Sequence, residues 1–233
     1  CEALGAKYKN KYLGTIGDVG FFSLDFGKII TTGEGGFITT NNKKIYEKLK
    51  AMRDHGHENK KGIHRGLDKA IAIGFNYRMT EMQAAVGLAQ LKKINKILKL
   101  KKKNKKILIQ NLQKKIDKGK FNFRLSHDPK NEQFDHLVIH LKNDVIAKKV
   151  YKMLSKKNIN TGILPVASRW HYAGYWDHIW PKLKKFEKKI DKKFWKNSWK
   201  LISKSISIHV SILETKSQIE KKAKIISGVI NSA

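Results

Sequence analysis

The sequence predicts an α/β chain followed by a smaller α+β domain, and two changes in texture along it lead to this fold class. Residues 1–98 alternate short β-like runs with helical patterns and are rich in glycine. Residues 99–233 contain fewer glycines and more lysine and isoleucine. With 233 residues and 40% hydrophobic content, the chain is long and apolar enough to bury a sizeable core. We therefore predict a domain boundary at residue 98.

Two strands and two helices are predicted in the first domain. Residues 19–24 and 36–40 are runs of strand-forming residues separated by a glycine-containing loop. The two asparagines after the second strand can cap the helix that follows. Thr80 with Gln83 forms a capping-box signature for a second helix, which we expect to continue unbroken into the lysine-rich stretch.

The second domain is predicted to be a small sheet covered by helices. Residues 137–141 alternate in polarity as a half-buried strand does, and Asp144 can cap the helix after it. Further along we predict an aromatic loop at 170–180, a helix at 194–202, a strand at 206–210, and a last helix that begins with the capping box Thr215 and Gln218.

The charge of the chain suggests a nucleic-acid partner, but its composition argues against one. The formal net charge is +31, yet of the 50 basic residues five are arginine, the residue whose rigid fork reads bases and phosphates. Lysines cluster where helices are predicted, so their stems can cover apolar surface while the amines stay in water. We therefore expect solvated lysine faces and no nucleic-acid partner.

The compartment is predicted from what the sequence lacks. No run of about 18 apolar residues occurs, and the first residues do not resemble a signal peptide. The single cysteine, Cys1, excludes an internal disulfide framework and a cysteine-based metal site. We expect a cytosolic protein with no membrane association.

One lysine, Lys28, has surroundings unlike those of the other lysines. It lies in a loop among mostly uncharged neighbours, after a strand that ends near Ser23 and before a Gly-Glu-Gly-Gly turn. If its amine is partly desolvated, its pKa falls and the neutral, nucleophilic form becomes accessible. Glycines allow the backbone close to a ligand, and backbone N–H groups with a serine hydroxyl suit a phosphate. Taken alone, the same pattern also occurs in ordinary turns.

Several blocks of the first domain resemble the sugar aminotransferases of the DegT/DnrJ/StrS family. In order and spacing they cover nearly all of residues 1–98, and they are Glu2-Ala-Leu-Gly-Ala6, Gly14-Thr-Ile-Gly-Asp-Val-Gly20, the run from Phe21 to Gly36, Arg53-Asp-His-Gly56, Gly74-Phe-Asn-Tyr-Arg-Met-Thr-Glu-Met-Gln83 and Gly87-Leu-Ala-Gln-Leu91. The resemblance implies a PLP-transferase fold of type I. Residues 1–98 would be the C-terminal part of the large, PLP-binding domain with its mixed sheet, and residues 99–233 the small C-terminal α+β domain.

The resemblance also implies roles for individual residues. Lys28 matches the lysine that carries pyridoxal 5'-phosphate as a Schiff base and later moves a proton. Ser23 matches a phosphate-binding serine, and Glu2 stands where relatives place a residue near the cofactor's 3-hydroxyl. Asn76 matches an asparagine that reaches the cofactor phosphate of the neighbouring subunit, which implies a homodimer with shared active sites. Arg78 is expected to hold an anionic group of the substrate or amino donor.

One departure from the family pattern concerns the start of the chain. The aspartate that pairs with the pyridine nitrogen should fall just ahead of Cys1, and the chain opens within an apparently helical stretch. We therefore expect a fragment of a longer protein, truncated at its N-terminus and inactive by itself, because the cofactor stabilises a carbanion poorly without that carboxylate.

Two further clusters have competing interpretations. His55, His57 and His64 are close in sequence, but no Cys or carboxylate completes a ligand set, so solvated loop histidines are favoured over a metal site. The aromatic loop around His171 can be a core or a wall for a sugar, and we favour substrate contact for His171. Trp195 and Trp199, four residues apart, are expected in the core.

The resemblance implies transfer of an amino group from a small-molecule donor, expected to be glutamate, onto a keto sugar or sugar nucleotide in polysaccharide or lipopolysaccharide assembly. A PLP-dependent sugar dehydratase of the same fold is the first alternative, although such relatives have His in place of the lysine. A basic nucleic-acid-binding or regulatory protein is the second.

Overall fold

The computed structural model describes residues 1–132, 134–163, 172–179, 182 and 195–233. Two compact units form the chain. The first consists of Cys1–Leu98 with His127–Gln133, and the second of Lys99–Ser126 with Phe134–Ala233. Within the described residues, every helix is too short or too polar to span a lipid bilayer.

The first unit combines two antiparallel strand pairs with two helices and one turn of 3-10 helix. The prediction of a helix at the start of the chain is wrong, since residues 1–6 contain a turn in which Gly5 has a φ of +84°, outside the α-helical range. In chain order its elements are β1 (Lys7–Tyr8), β2 (Lys11–Tyr12), β3 (Gly20–Ser23), β4 (Gly36–Thr39), α1 (Lys43–Met52), the 3-10 turn Arg65–Leu67, and α2 (Glu81–Leu91). Helix α3 (Ile94–Lys115) follows, and the division between the units falls within it.

Strands β3 and β4 form the hairpin-like pair that holds the predicted lysine loop. Ser23 and Gly36 are the last paired residues of the two strands. The two ends of the loop between them, which contains Lys28, therefore lie side by side. The Phe22 and Phe37 rings stack with their centroids 4.6 Å apart. Gly36 is required there, because a Cβ at this position would lie 2.5 Å from the carbonyl oxygen of Phe22.

The caps of α1 and α2 form as the sequence predicts. The side chain of Asn42 accepts from the backbone N–H groups of Lys44 and Ile45, and both halves of the Thr80 and Gln83 capping box are present. The prediction of one unbroken helix from Thr80 onward is wrong, since a turn separates α2 from α3. At this turn the N–H of Lys93 donates to Gln90, three residues back, at 2.9 Å, which tightens the chain and ends the α-helical ladder.

The second unit is a four-stranded antiparallel sheet in the order β5-β6-β8-β7. Its elements after α3 are β5 (Phe121–Phe123), β6 (His136–Leu141), α4 (Asp144–Lys156), β7 (Thr161–Gly162), the 3-10 turn Ala173–Tyr175, α5 (Lys196–Ile202), β8 (Ser205–His209) and α6 (Lys216–Asn231). Its core contains fully buried residues from α3, β6, α4, β8 and α6, among them Leu112, Ile139, Leu154, Ile206 and Ile226.

Two details of this unit differ from the sequence-based expectation. The cap of α4 is Asn143, whose side chain accepts from the N–H of Ile146, whereas Asp144 is the first helical residue and binds Lys148 at 3.0 Å. Asn143 takes the cap because its backbone is extended, as an N-cap requires. Trp195 and Trp199 are both half-buried and not in the core, and the ring of Trp199 packs on Tyr172 and Tyr175.

Candidate functional site

A tight turn joins Ser23 to Lys28. The hydroxyl of Ser23 accepts from the N–H of Asp25 at 3.2 Å, and the N–H of Lys28 donates to the carbonyl of Asp25 at 3.1 Å. The carboxylate of Asp25 accepts from the N–H of Gly27 at 2.9 Å, the arrangement of an Asx turn. The sequence thus places a hydroxyl and an amine on a short, internally bonded segment at the end of β3.

The amine of Lys28 forms an ion pair with the carboxylate of Glu2, 26 residues away in sequence. The side chain of Lys28 is 22% exposed and that of Glu2 is 74% exposed. The Lys28 side chain is therefore half-buried, whereas its partner is exposed. Glu2 is held nearby, because the backbone nitrogen of the preceding Cys1 donates to the carbonyl of Phe21 at 3.0 Å.

Hydrogen bonds fasten the glycine-containing loop around this turn. The N–H of Leu24 donates to Gly35 at 2.9 Å, and the hydroxyl of Thr32 donates to the carbonyl of Glu34 at 2.6 Å. The same carbonyl accepts from the side-chain amide of Gln83 at 2.9 Å. Gly35 has a φ of +134°, which a residue with a side chain rarely adopts. The capping box of α2 is thereby tied to the loop that follows Lys28.

Asn76 lies in an exposed segment paired with the end of α1. Asp54 and Asn76 form an isolated antiparallel bridge, and the carbonyl of Phe75 accepts from the N–H of His55 at 3.0 Å. The N–H of Tyr77 donates to the carbonyl of Arg53 at 2.9 Å. These bonds hold the backbone on either side of Asn76 while its side chain faces outward.

Arg78 binds a buried acid within its own chain. Its guanidinium donates to the carboxylate of Asp54, which also accepts from Arg65. Burial would raise the pKa of Asp54, but the hydrogen bond from Arg78 and the charges of Arg65 and Arg78 outweigh it, so that the pKa of the carboxyl lies below its usual range. Asp54 is thus ionised and binds both arginines.

The structure brings some of the residues singled out from the sequence together and leaves others apart. Ser23 and Lys28 lie on one turn and Glu2 pairs with Lys28, whereas Asn76 and Arg78 belong to the segment bonded to Asp54. His171 lies outside the described residues. The roles assigned to these residues from the resemblance stay predictions.

Asp54, Arg65 and the loop contact of Gln83 were overlooked. Asp54 is part of the Arg53-Asp-His-Gly56 block, but its partners lie 11 and 24 residues away, where no periodicity marks them.

Among the described residues, no group of three or more histidine, cysteine or acidic side chains is arranged to hold a metal ion. His64 instead caps the 3-10 turn by accepting from the N–H of Gly66 at 3.2 Å.

Comparison with known proteins gives one family match over almost the whole chain. The model of the DegT/DnrJ/EryC1/StrS aminotransferase family matches residues 1–226. GDP-perosamine synthase of Escherichia coli O157:H7 is 44% identical over 100 residues, which are 43% of this chain and 26% of that protein. GDP-4-keto-6-deoxy-D-mannose 3-dehydratase of Escherichia coli O55:H7 is 36% identical over 116 residues, which are 45% of this chain and 30% of the relative.

The fold also matches solved structures. PseC of Helicobacter pylori, an aminotransferase involved in the biosynthesis of pseudaminic acid, superposes with a TM-score of 0.80 at 23% identity, over 100% of this chain and 59% of that one. The type I fold inferred from the sequence is confirmed by this similarity. The chain spans about a quarter of the length of the curated relatives it matches. Because the family model covers residues 1–226, the chain belongs to the DegT/DnrJ/EryC1/StrS aminotransferase family.

Proposed function

We propose that the full-length protein is a pyridoxal-phosphate-dependent aminotransferase that moves an amino group from glutamate to a keto sugar carried on a nucleotide, for polysaccharide assembly. The observation that supports this most directly is the short turn that joins Ser23 to Lys28, whose half-buried side chain pairs with Glu2. A lysine amine is the group that forms a Schiff base with a carbonyl compound such as this cofactor.

The residues of this turn fit pyridoxal phosphate by the chemistry of their groups. When bound, the cofactor supplies an electron sink for the amino-acid α-carbon. In the proposed roles, the Nζ of Lys28 holds the cofactor covalently and afterwards takes and returns a proton. The Ser23 hydroxyl donates to the phosphate, and Glu2 accepts from the 3-hydroxyl. Asn76 donates to the phosphate bound by the neighbouring subunit.

The acceptor class is supported by the names of the relatives. One is a synthase of a GDP-linked sugar, and another an aminotransferase in the biosynthesis of a sugar acid. The relatives also include a dehydratase, so this similarity does not by itself separate the two chemistries. Lys28 favours transamination, because the resemblance gives His at this position in dehydratases.

A cytosolic location belongs to the same proposal and rests on the use of a single cysteine.

A homodimer is the proposed assembly. The first unit exposes large apolar side chains around the Asn76 segment, including Ile73 at 86%, Phe75 at 59% and Tyr77 at 72%. Apolar surface of this extent commonly marks an interface. A second copy covering it would bring Asn76 to the partner's site, as the resemblance implies.

The assignment of Lys28 is tested by reducing the full-length protein with borohydride. We expect the yellow absorbance band of the bound cofactor to disappear and peptide mapping to find a pyridoxyl group on Lys28. A label on another lysine would overturn the assignment, and a colourless protein that takes up no cofactor would overturn the proposed function.

Lys28→Ala should retain the fold and abolish turnover, because a lysine in a surface turn contributes little packing. Lys216→Ala is the matched control, since Lys216 also pairs with a glutamate but lies at the start of α6 and is 73% exposed. Its activity should equal that of the wild type. Transamination by the Lys28→Ala protein would contradict the proposal.

A further inference from the structure

Asp54 is the buried centre of a three-residue ion cluster, here the Asp54 cluster, formed with Arg65 and Arg78. Its side chain is 11% exposed and accepts from one guanidinium nitrogen of each arginine through the same oxygen. Charged side chains are seldom this buried unless they are paired. The acid is therefore held in place by its two partners, and they by it.

The backbone around Asp54 is fixed independently of these ion pairs. The N–H of Gly56 donates to the carbonyl of Ala51 at 2.9 Å, and the N–H of Ile71 donates to Gly56 at 2.9 Å. A Cβ on Gly56 would lie 1.9 Å from the carbonyl oxygen of Ala72, so the two chains approach as closely as glycine allows. The carboxylate thus projects from a rigid base toward Arg65 at the start of the 3-10 turn and Arg78 in the segment before α2.

The charges within the cluster do not cancel. One carboxylate faces two guanidinium groups, which leaves the three residues with one net positive charge. The side chain of Arg65 is 49% exposed and that of Arg78 is 35% exposed. A guanidinium has five N–H donors in a planar fork, so donors remain for a second acceptor after each arginine has bound Asp54.

We propose that Asp54 is a positioning residue that holds Arg65 and Arg78 as a joint receptor for an oxyanion, a carboxylate or a phosphate, of the substrates. The inference rests on the proposed function and on the anion-holding role that the resemblance implies for Arg78, and it adds an acid that acts through the arginines and a second arginine, Arg65. Two guanidinium groups that are already held in place bind an oxyanion better than two mobile ones, because less side-chain freedom is lost on binding.

The test measures dissociation constants by calorimetry on the full-length protein, so it does not depend on turnover. Glutarate represents the carboxylates of the amino donor, and GDP represents the phosphates of a nucleotide sugar. Asp54→Asn should weaken the binding of at least one of them about tenfold, the factor that corresponds to about 1.4 kcal/mol. Weakened glutarate binding alone identifies the donor's carboxylate, and weakened GDP binding alone identifies the phosphates.

A double-mutant cycle separates positioning from general damage. In the Arg78→Gln background, Asp54→Asn should weaken binding by about threefold or less, because Arg65 alone is then left to position. A purely structural acid would give the same factor in both backgrounds. Asp135→Asn is the matched control, since Asp135 is a half-buried acid paired with Lys101 in the other unit. It should leave both dissociation constants unchanged.

Arg65→Gln keeps the test decisive if Asp54→Asn fails to fold. Arg65 is half exposed, so its replacement should be tolerated, and it should weaken the same ligand severalfold. Unchanged binding in Arg65→Gln or in Asp54→Asn would overturn the inference, as would a wild type that binds neither ligand. A borohydride label on Lys28 in the same preparation would show that the proposed function stands even then.

Discussion

Lys28 and Asp54 differ in how visible they are in the sequence. Lys28 stands out because its neighbours are uncharged and glycine-rich, and the structure adds the partner Glu2 and the Asp25 turn. Asp54 lies in a sequence block without any sign of burial, and its two arginine partners follow it 11 and 24 residues later. Charge pairing across loops leaves no periodic trace, so such residues are found when the chain is folded.

A pH-dependent contribution to stability is expected at His209 in β8. Burial lowers the pKa of His209 below its ordinary value near 6.5, and the charges of Lys101 and His136 lower it further. The pKa of His209 is lower in the folded state than in the unfolded state. Neutral His209 therefore costs no stability above about pH 6.5. As the pH falls through the folded pKa, proton binding favours the unfolded state and this part of the stability is lost. His209→Gln should therefore lose less stability than the wild type between about pH 7.5 and about pH 5.

Urea unfolding of the full-length protein at both pH values measures this difference. His140, whose pKa is also lowered by burial, is present in both proteins, so the comparison isolates His209. An equal fall in the midpoint for the two proteins would show that His209 does not contribute.

Helix caps are the features that local sequence predicts most directly. The two capping boxes contain the same motif, but the hydrogen bonds of one of them extend to a distant part of the chain. Thr80 with Gln83 and Thr215 with Gln218 form the same pair of reciprocal bonds at the starts of α2 and α6. Gln83 additionally donates from its amide to the carbonyl of Glu34, 49 residues away. One box therefore fixes the end of its helix and also the loop beside Lys28.

Gln83→Ala and Gln218→Ala form a matched pair of variants. Each should cost about 0.5–1 kcal/mol in free energy of unfolding, because each removes one side of a capping box. Gln83→Ala alone should also weaken the binding of pyridoxal phosphate to the full-length apoprotein severalfold, since it removes one of the two side-chain hydrogen bonds that hold the carbonyl of Glu34. Fluorescence titration with the cofactor measures this affinity, and equal affinities in the two variants would contradict a role for the loop contact.

Exposed apolar side chains on the first unit become understandable at the scale of the assembled protein. Ile73, Phe75 and Tyr77 surround Asn76 on a segment whose backbone is well bonded, so their exposure is not a sign of a loose chain. The proposed homodimer would cover this surface and make each active site depend on both chains.

Mixing two inactive variants tests this dependence. Asn76→Ala and Lys28→Ala, each nearly inactive in the full-length protein, should recover activity when their subunits exchange, because a mixed dimer has one intact site. Recovery should approach about a quarter of the wild-type activity, since random exchange makes about half the dimers mixed.

The mixing experiment has its own controls. Asn76→Ala must be strongly impaired alone, and subunit exchange must be verified by mass. A mixture that stays inactive after verified exchange would place Asn76 in the site of its own chain, and the shared-site proposal would fall while Lys28 kept its role.

The sequence by itself determined the features that depend on neighbours in the chain: the strands beside Lys28, the caps at Asn42, Thr80 and Thr215, and the family blocks of the first unit. Capping bonds and strand periodicity reach at most a few residues, so local sequence suffices to predict them.

The tertiary structure decided what depends on distant partners. It separated α2 from α3, paired Glu2 with Lys28, and brought the side-chain amide of Gln83 within hydrogen-bond distance of the carbonyl of Glu34. It also gathered Arg65 and Arg78 on Asp54, because a buried carboxylate must find its cations wherever the folded backbone brings them.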